Sequence, residues 1–255
     1  MEQDATPAQQ QEAAPAQQRN AAPAQQARRT KVPVRLGLAV ICAGGFMDAY
    51  SYLTRGHVFA TGQTGNVVLL TVRGAVGDWL GALGCVASIL SCAGGIFFSM
   101  HLLHGVHGSN RYRTQRWVAA LEVVVFAGLA LVPAGVPDLP VNCVISFCAA
   151  LAFENFRSFG TKSTYSSVFC TGNLRSFAET LYRGLVGGDR HEPYRSMRYA
   201  ALIGSFTVGA LAGVLLVGLV GRYACLAVCA LFVVTSVHLE HLDEDPERGG
   251  VIRLG

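Results

Sequence analysis

The sequence predicts an all-α protein: a polytopic membrane helix bundle of about six transmembrane helices, built as two inverted three-helix repeats with broken or re-entrant Thr-Gly-Asn segments. Three observations predict it. First, 51% of residues are apolar and 14% charged, against about 25% charged in a soluble domain, and the charges gather between long uncharged windows. Second, one cassette occurs twice. Thr64-Gly65-Asn66 leads through Val67–Leu70 to Arg73-Gly74-Ala75-Val76-Gly77; Thr171-Gly172-Asn173 leads through Leu174–Phe177 to Arg183-Gly184-Leu185-Val186-Gly187. Third, Lys and Arg fall unequally on alternate connections.

The elements follow in order. Residues 1–33 form a low-complexity tail in which Pro7-Ala8-Gln9-Gln10 recurs at Pro15 and Pro23; with almost nothing to bury, it is expected to be disordered and cytoplasmic. It does not read as a signal peptide, because the first apolar run starts late and ends at Met47-Asp48-Ala49-Tyr50 rather than at a small-residue cleavage site. Residues 34–137 form the first membrane repeat, with apolar windows at 34–53, 79–103 and 117–137. Residues 138–239 form the second, with windows at 140–156, 199–221 and 223–239. Residues 240–255 are a polar cytoplasmic tail.

Orientation comes from the basic residues. Arg28, Arg29, Lys31 and Arg35, then Arg111, Arg113 and Arg116, then the run from Arg157 to Arg198 mark one side, and only Arg55, Arg73 and Arg222 mark the other. Both termini are therefore expected in the cytoplasm. Three spans per repeat is an odd number, so the second copy enters the membrane from the opposite side. Reading each cassette as a further full span would bury Arg175, Glu179 and Arg183, at about 2.5–3.5 kcal/mol or more per charge at mid-bilayer.

Each cassette places hydroxyl, glycine and amide groups at the start of an apolar or amphipathic run. Thr64, Asn66, Thr171 and Asn173 are candidate helix caps. Gly65 and Gly172 allow close backbone approach, and a helix N-terminus favours an anion or polar group. Two interruptions in matched positions point to a shared solute site; ordinary surface caps are the other reading. Asp48, Glu122 and Glu154 are the only carboxylates inside the windows. Repeat alignment sets Asn155 opposite Asp48. Asp48 and Glu154 are candidates for proton or ion coupling, and Asp48 and Asn155 for solute binding; a structural hydrogen bond or ion pair is the alternative for each. On window position, Glu122 and Glu154 sit near span ends.

Other groups point away from chemistry. His101, His104 and His107 lie at helical spacing, but no carboxylate or cysteine completes a ligand set. The eight cysteines lie in or beside apolar runs, without a Cys-x-x-Cys pair, and read as packing residues. Gly44-Gly45, Gly94-Gly95, Gly209 and Gly213 suit close helix approach. No phosphate loop, zinc-protease motif or serine elbow is present. The expectation is no enzyme, no catalytic residue, no metal and no cofactor. The formal charge of +4 belongs to topology, so no nucleic-acid partner is expected.

Gly45-Phe46-Met47-Asp48-Ala49, Val58-Phe59, Thr64-Gly65-Asn66, Ser163-Thr164-Tyr165 and Thr171-Gly172-Asn173-Leu174 together resemble the YoaK-like bacterial integral membrane proteins, a family with a domain of unknown function. The resemblance covers about residues 34–239 and implies a bacterial plasma-membrane protein without naming a solute or reaction. Glu154-Asn155 departs from the Gln-Asn type of pair the resemblance implies. The functional expectation is a small secondary transporter or permease for a small polar or anionic solute, with the lipid bilayer as partner and the oligomeric state open. The alternative from another class is a non-transporting scaffold or sensor.

Overall fold

The computed structural model describes residues 34–105, 111–133, 135–156, 170–189 and 192–244, all within the unit Val32–Gly255. The tail at 1–33, most of that at 240–255, Arg157, the polar stretch 161–167 ahead of the second cassette, and His107 lie outside the described residues, as does the side chain of His104.

Every regular element among the described residues is helical. In chain order these are α1 (Val34–Thr54), α2 (Gln63–Ala75), α3 (Trp79–Gly105), α4 (Arg111–Leu131), α5 (Asp138–Asn155), α6 (Cys170–Leu185), α7 (Glu192–Val220), a 3-10 turn (Gly221–Cys225) and α8 (Leu226–Glu244). Four stretches are long and apolar enough to cross a membrane: Val34–Thr54, Trp79–Leu102, Arg113–Leu131 and Glu192–His241, the last holding both α7 and α8. α5 carries Asp138, Asn142 and Glu154-Asn155 and is not among them. The cassette helices α2 and α6 have 13 and 16 residues, about 20–24 Å at 1.5 Å per residue, short of a roughly 30 Å hydrocarbon layer.

Burial is inverted relative to a water-soluble domain. Leu80, Phe97, Leu131 and Leu219 are 77–81% exposed, while Asn66 and Glu122 are 0% and Asn155 1% exposed. Apolar side chains outside and amides and carboxylates inside suit a lipid surround, where the exterior loses nothing by being apolar.

Helix pairing crosses between the halves of the chain. α1 packs mainly on α7, α3 on α5, and α4 on α8, while α2 lies on α3 and α6 on α7. Contact points give the directions. The Ser205 hydroxyl donates to the Leu38 carbonyl, Gly209 lies on Cys42, and Gly213 on Phe46, so α1 and α7 advance together and run parallel. Ser88 meets Ser146, Gly95 lies on Ala150, and Ser99 meets Asn155, so α3 and α5 are also parallel. α4 and α8 are antiparallel: the Cys229 thiol donates to the Val123 carbonyl and the Cys225 thiol to that of Phe126. These two cysteines are small packing groups at that seam.

The α1–α7 seam is backbone on backbone. A Cβ on Gly45 would strike the Phe206 carbonyl, and one on Gly209 the Cys42 carbonyl. Glycine is needed here for proximity, since lipid provides no hydrophobic drive between helices and packing must supply the association. Gly209→Leu is expected to destabilise the bundle by about 1–3 kcal/mol or more. Gly204→Ala, with nothing within 4 Å of its Cβ position, should be near neutral. Thermal unfolding of the two variants in detergent checks both.

Candidate functional site

The buried polar groups concentrate around a non-helical elbow between α1 and α2. α1 ends at Thr54, and the chain reverses through Gly56 (φ 70°) and His57 (φ 55°). Gly56 takes the left-handed conformation without a Cβ penalty; His57 bears it with its ring edge-on to Tyr52 at 5.1 Å. Phe59 stacks on the same Tyr52 at 4.9 Å. The chain then descends beside α1 until Thr61 reaches Asp48, six residues before the end of that helix, about 9 Å along the axis. α2 starts there and climbs back. Near its end, Arg73 donates to the carbonyls of Gly56 and His57 at 2.9 and 3.0 Å. Elbow and α2 thus enter and leave at the same end of the bundle.

Two side chains hold this path. Asp48 Oδ1 accepts from the Thr61 amide at 2.6 Å and the Gly62 amide at 3.3 Å, and Oδ2 accepts from the Thr61 hydroxyl at 2.7 Å. Asn66 clips the backbone of Phe59 from both sides: its Oδ1 accepts from the Phe59 amide at 2.9 Å and its Nδ2 donates to the Phe59 carbonyl at 2.8 Å. Nδ2 also reaches Gln63 Oε1 and Ser88 Oγ. Ser88 on α3 joins Ser146 on α5 at 2.7 Å. Buried amides and carbonyls away from regular structure need partners, and Asp48 and Asn66 provide them.

This geometry revises the capping role expected of Thr64 and Asn66. The residue preceding α2 is Gly62, with no side-chain cap. Thr64 and Gly65 sit inside the first turn, and Thr64 points outward, exposed. Gly65 leaves room for the Phe59 ring, 2.9 Å from where its Cβ would stand. The anion expected at the helix start is the protein's own Asp48 carboxylate.

In the second copy, Thr171 and Gly172 are exposed on the first turn of α6, and Asn173 is buried, repeating the order of the first. α2 and α6 do not pack on each other. The two cassettes are not brought together; Cys170, the residue ahead of Thr171 that opens α6, and Cys92 of α3 are near enough to Asp48 to feel its charge. Asn155, the counterpart of Asp48, donates from Nδ2 to Ser99 Oγ and the Leu151 carbonyl, both at 2.9 Å, while Gln115 Nε2 donates to the Asn155 carbonyl at 2.9 Å. Glu154 is only partly buried at the end of α5.

Two groups gain a weight that the sequence did not give them. Arg55, counted there only as a topology marker, is 3% exposed. It lies 3.8 Å from Asp138 and near Tyr50, whose hydroxyl donates to the Arg222 carbonyl at 3.1 Å, and its Nε and one terminal nitrogen find no acceptor among the described residues. Asn142 beside it donates to the Arg55 carbonyl at 2.7 Å, and its own Oδ1 is unpartnered. A cation with donors to spare, a phenol and a carboxamide can together hold an anionic or polar group. Glu122 is the other. α4 begins at Arg111, six residues before the apolar window, which moves Glu122 from the span's end to its middle. The available signal was Arg111-Tyr112-Arg113, polar residues that continue the helix.

Asn66→Ala is expected to strand the Phe59 amide at about 1–3 kcal/mol, while the Phe59 carbonyl keeps the Ser88 hydroxyl at 3.1 Å. The checks are a lowered unfolding temperature and faster maleimide labelling of a cysteine placed at Phe59.

No curated protein and no solved structure gives a significant match to this chain. Residues 36–238, from the start of α1 to near the end of α8, match the family described as "Protein of unknown function (DUF1275)". With that match spanning α1 to α8, the elbow included, the chain belongs to the DUF1275 family of proteins of unknown function.

Proposed function

We propose that this protein is a small carrier or permease of the bacterial plasma membrane, with both termini cytoplasmic, built from two inverted repeats that surround a path for a small polar or anionic solute. The observation that carries the reading is the buried, non-helical elbow pinned at Asp48 and Asn66. Irregular backbone at membrane depth is tolerated only where protein or a water-lined cavity covers it, and paired interruptions of this kind mark solute sites in carriers.

The pairing pattern supports the repeat. Exchanging α1–α4 for α5–α8 turns the α1–α7 pair into α5–α3, and α2–α3 into α6–α7, and returns α4–α8 to itself, all of which are observed pairs. The parallel α1–α7 and α3–α5 pairs and the antiparallel α4–α8 pair fit six spans in alternating directions, with the second set of three reversed. In this reading α2 and α6 are re-entrant from opposite sides, and the α1 end of the bundle is extracellular, where Arg55 and Arg222 are the sparse positive charges. Asp48 acts as the clamp of the elbow. Solute charge is met instead by Arg55, whose spare donors lie beside Tyr50 and Asn142.

Flux into proteoliposomes tests the function. Light scattering would follow volume changes under gradients of potassium formate, chloride or phosphate with valinomycin present, and of glycerol. The expected result is anion-dependent swelling above protein-free vesicles, reduced at least tenfold in Arg55→Gln and in Asp48→Asn, with both variants still folded. Swelling equal to protein-free vesicles for every solute returns the protein to the scaffold or sensor class. Impermeant maleimide tests the architecture: in a background without native cysteines, Thr64→Cys should label from outside and Thr171→Cys from inside. Labelling of both from one side refutes the inversion.

A further inference from the structure

We propose that Glu122 is a proton-exchange site in the middle of the bundle, binding and releasing a proton on its carboxyl as the surrounding helices give water access to it. This rests on the permease reading only in linking the exchange to transport; the proton site itself stands on the geometry.

Glu122 occupies the twelfth of the 21 positions of α4. It is 0% exposed, and neither carboxyl oxygen has a hydrogen-bond partner among the described residues. Asp48 is the internal contrast, since its carboxylate takes three donors and fixes a loop. A carboxyl without partners in an apolar interior bears a charge only at high cost, so its loss of a proton is tied to the entry of water. Burying such a group unpaired costs stability, and binding a proton is the chemistry open to its carboxyl.

The groups around it fit that role. α4 packs against α5, α8 and the 3-10 turn. The titratable neighbour from α5 is the Cys148 thiol and from α8 the Cys229 thiol. On the turn, Cys225 is tied to the Phe126 carbonyl, and Arg222 to the Val132 carbonyl and the Tyr223 ring. Arg116, on α4 itself, pairs with Glu240. No described cation neutralises Glu122. Two turns earlier on the same face lies Gln115, also buried, with an unpartnered Oε1 and its Nε2 on Asn155, which leads to Ser99. Gln115, Asn155 and Ser99 form a connected polar set about 10 Å along the helix from Glu122, toward the N-terminal end of α4. The exchange balances simply: hydronium gives its proton to the Glu122 carboxylate, forming the O–H bond of the acid and leaving water, and release is the reverse.

Full-length protein in lipid nanodiscs, treated with dicyclohexylcarbodiimide, provides the test. This apolar reagent converts protonated carboxyls in apolar sites to stable acylureas. Peptide mass spectrometry should find Glu122 modified, with less label as pH rises, none in Glu122→Gln, and none at Asp48. Infrared difference spectra should show a carboxylic-acid carbonyl band that titrates and is absent from Glu122→Gln. Glu122→Leu should unfold at or above the wild-type temperature, separating proton binding from a structural need. Absent or pH-independent labelling of Glu122, or an acid band that survives Glu122→Gln, overturns the proposal. In proteoliposomes Glu122→Gln should flatten the pH dependence of flux. If wild-type vesicles show no flux but Glu122 still titrates, the permease reading fails and the proton site stands.

Discussion

The structure depends first on one carboxylate meeting the backbone of a turn. Asp48 is carried to its place by α1, a helix that is buried for most of its length and whose glycine face is pressed against α7. From there it takes up the Thr61 and Gly62 amides and the Thr61 hydroxyl. An amide without an acceptor in an apolar interior costs about as much as a hydrogen bond is worth there, so an unpinned elbow would have to leave the bundle. With it pinned, α2 starts deep, Asn66 closes on Phe59, and Ser88 and Ser146 tie the elbow to the α3–α5 seam. The backbone seam between α1 and α7 and the polar clasp at Asp48 therefore support each other: the first sets the depth of the carboxylate and the second fills the space that depth creates.

The polar interior divides into groups that are satisfied and groups that are not. Asp48, Asn66, Ser88 and Ser146 form a connected set with donors matched to acceptors. Connected networks of this kind rigidify a core. Arg55, Asn142, Gln115 and Glu122 each retain at least one atom without a partner. In a low-dielectric interior such atoms are costly, and these four lie just after α1 and within α4 and α5, apart from the satisfied elbow.

Legibility in the sequence followed the physics of each signal. The apolar windows and the uneven arginines come from transfer free energy and charge, which are local, and they located α1, α3 and α5 to within two residues at each end and α4, α7 and α8 to within seven. The cassettes were visible as repeats, and Asp48 stood out as a carboxylate in an apolar run. Their roles were not visible. Whether Thr64 caps α2 or faces outward depends on where that helix starts, and the start is set by Asp48, thirteen residues before Thr61 and on another helix. Arg55 looked like a surface charge because the residues that meet it, Asp138 and Asn142, belong to another helix more than eighty residues on. Glu122 was misplaced along its span because α4 begins with arginines, which a hydropathy window excludes but a helix accepts. Partnerships such as α1 with α7 could not be read at all, since glycine spacing advertises a close approach without saying to which helix.

That last partnership bears on how the chain is made. Cys42 and Gly209 lie 167 residues apart in a seam with no room for a side chain. At about 5–20 residues per second of synthesis, α1 is in place roughly 8–33 s before α7 emerges from the ribosome. Throughout that interval its glycine-lined face, with Asp48 a few turns along, must be covered by lipid or by an insertion factor. The first half of the molecule is therefore an orphan during its own birth, and its quality control is decided by the arrival of the second.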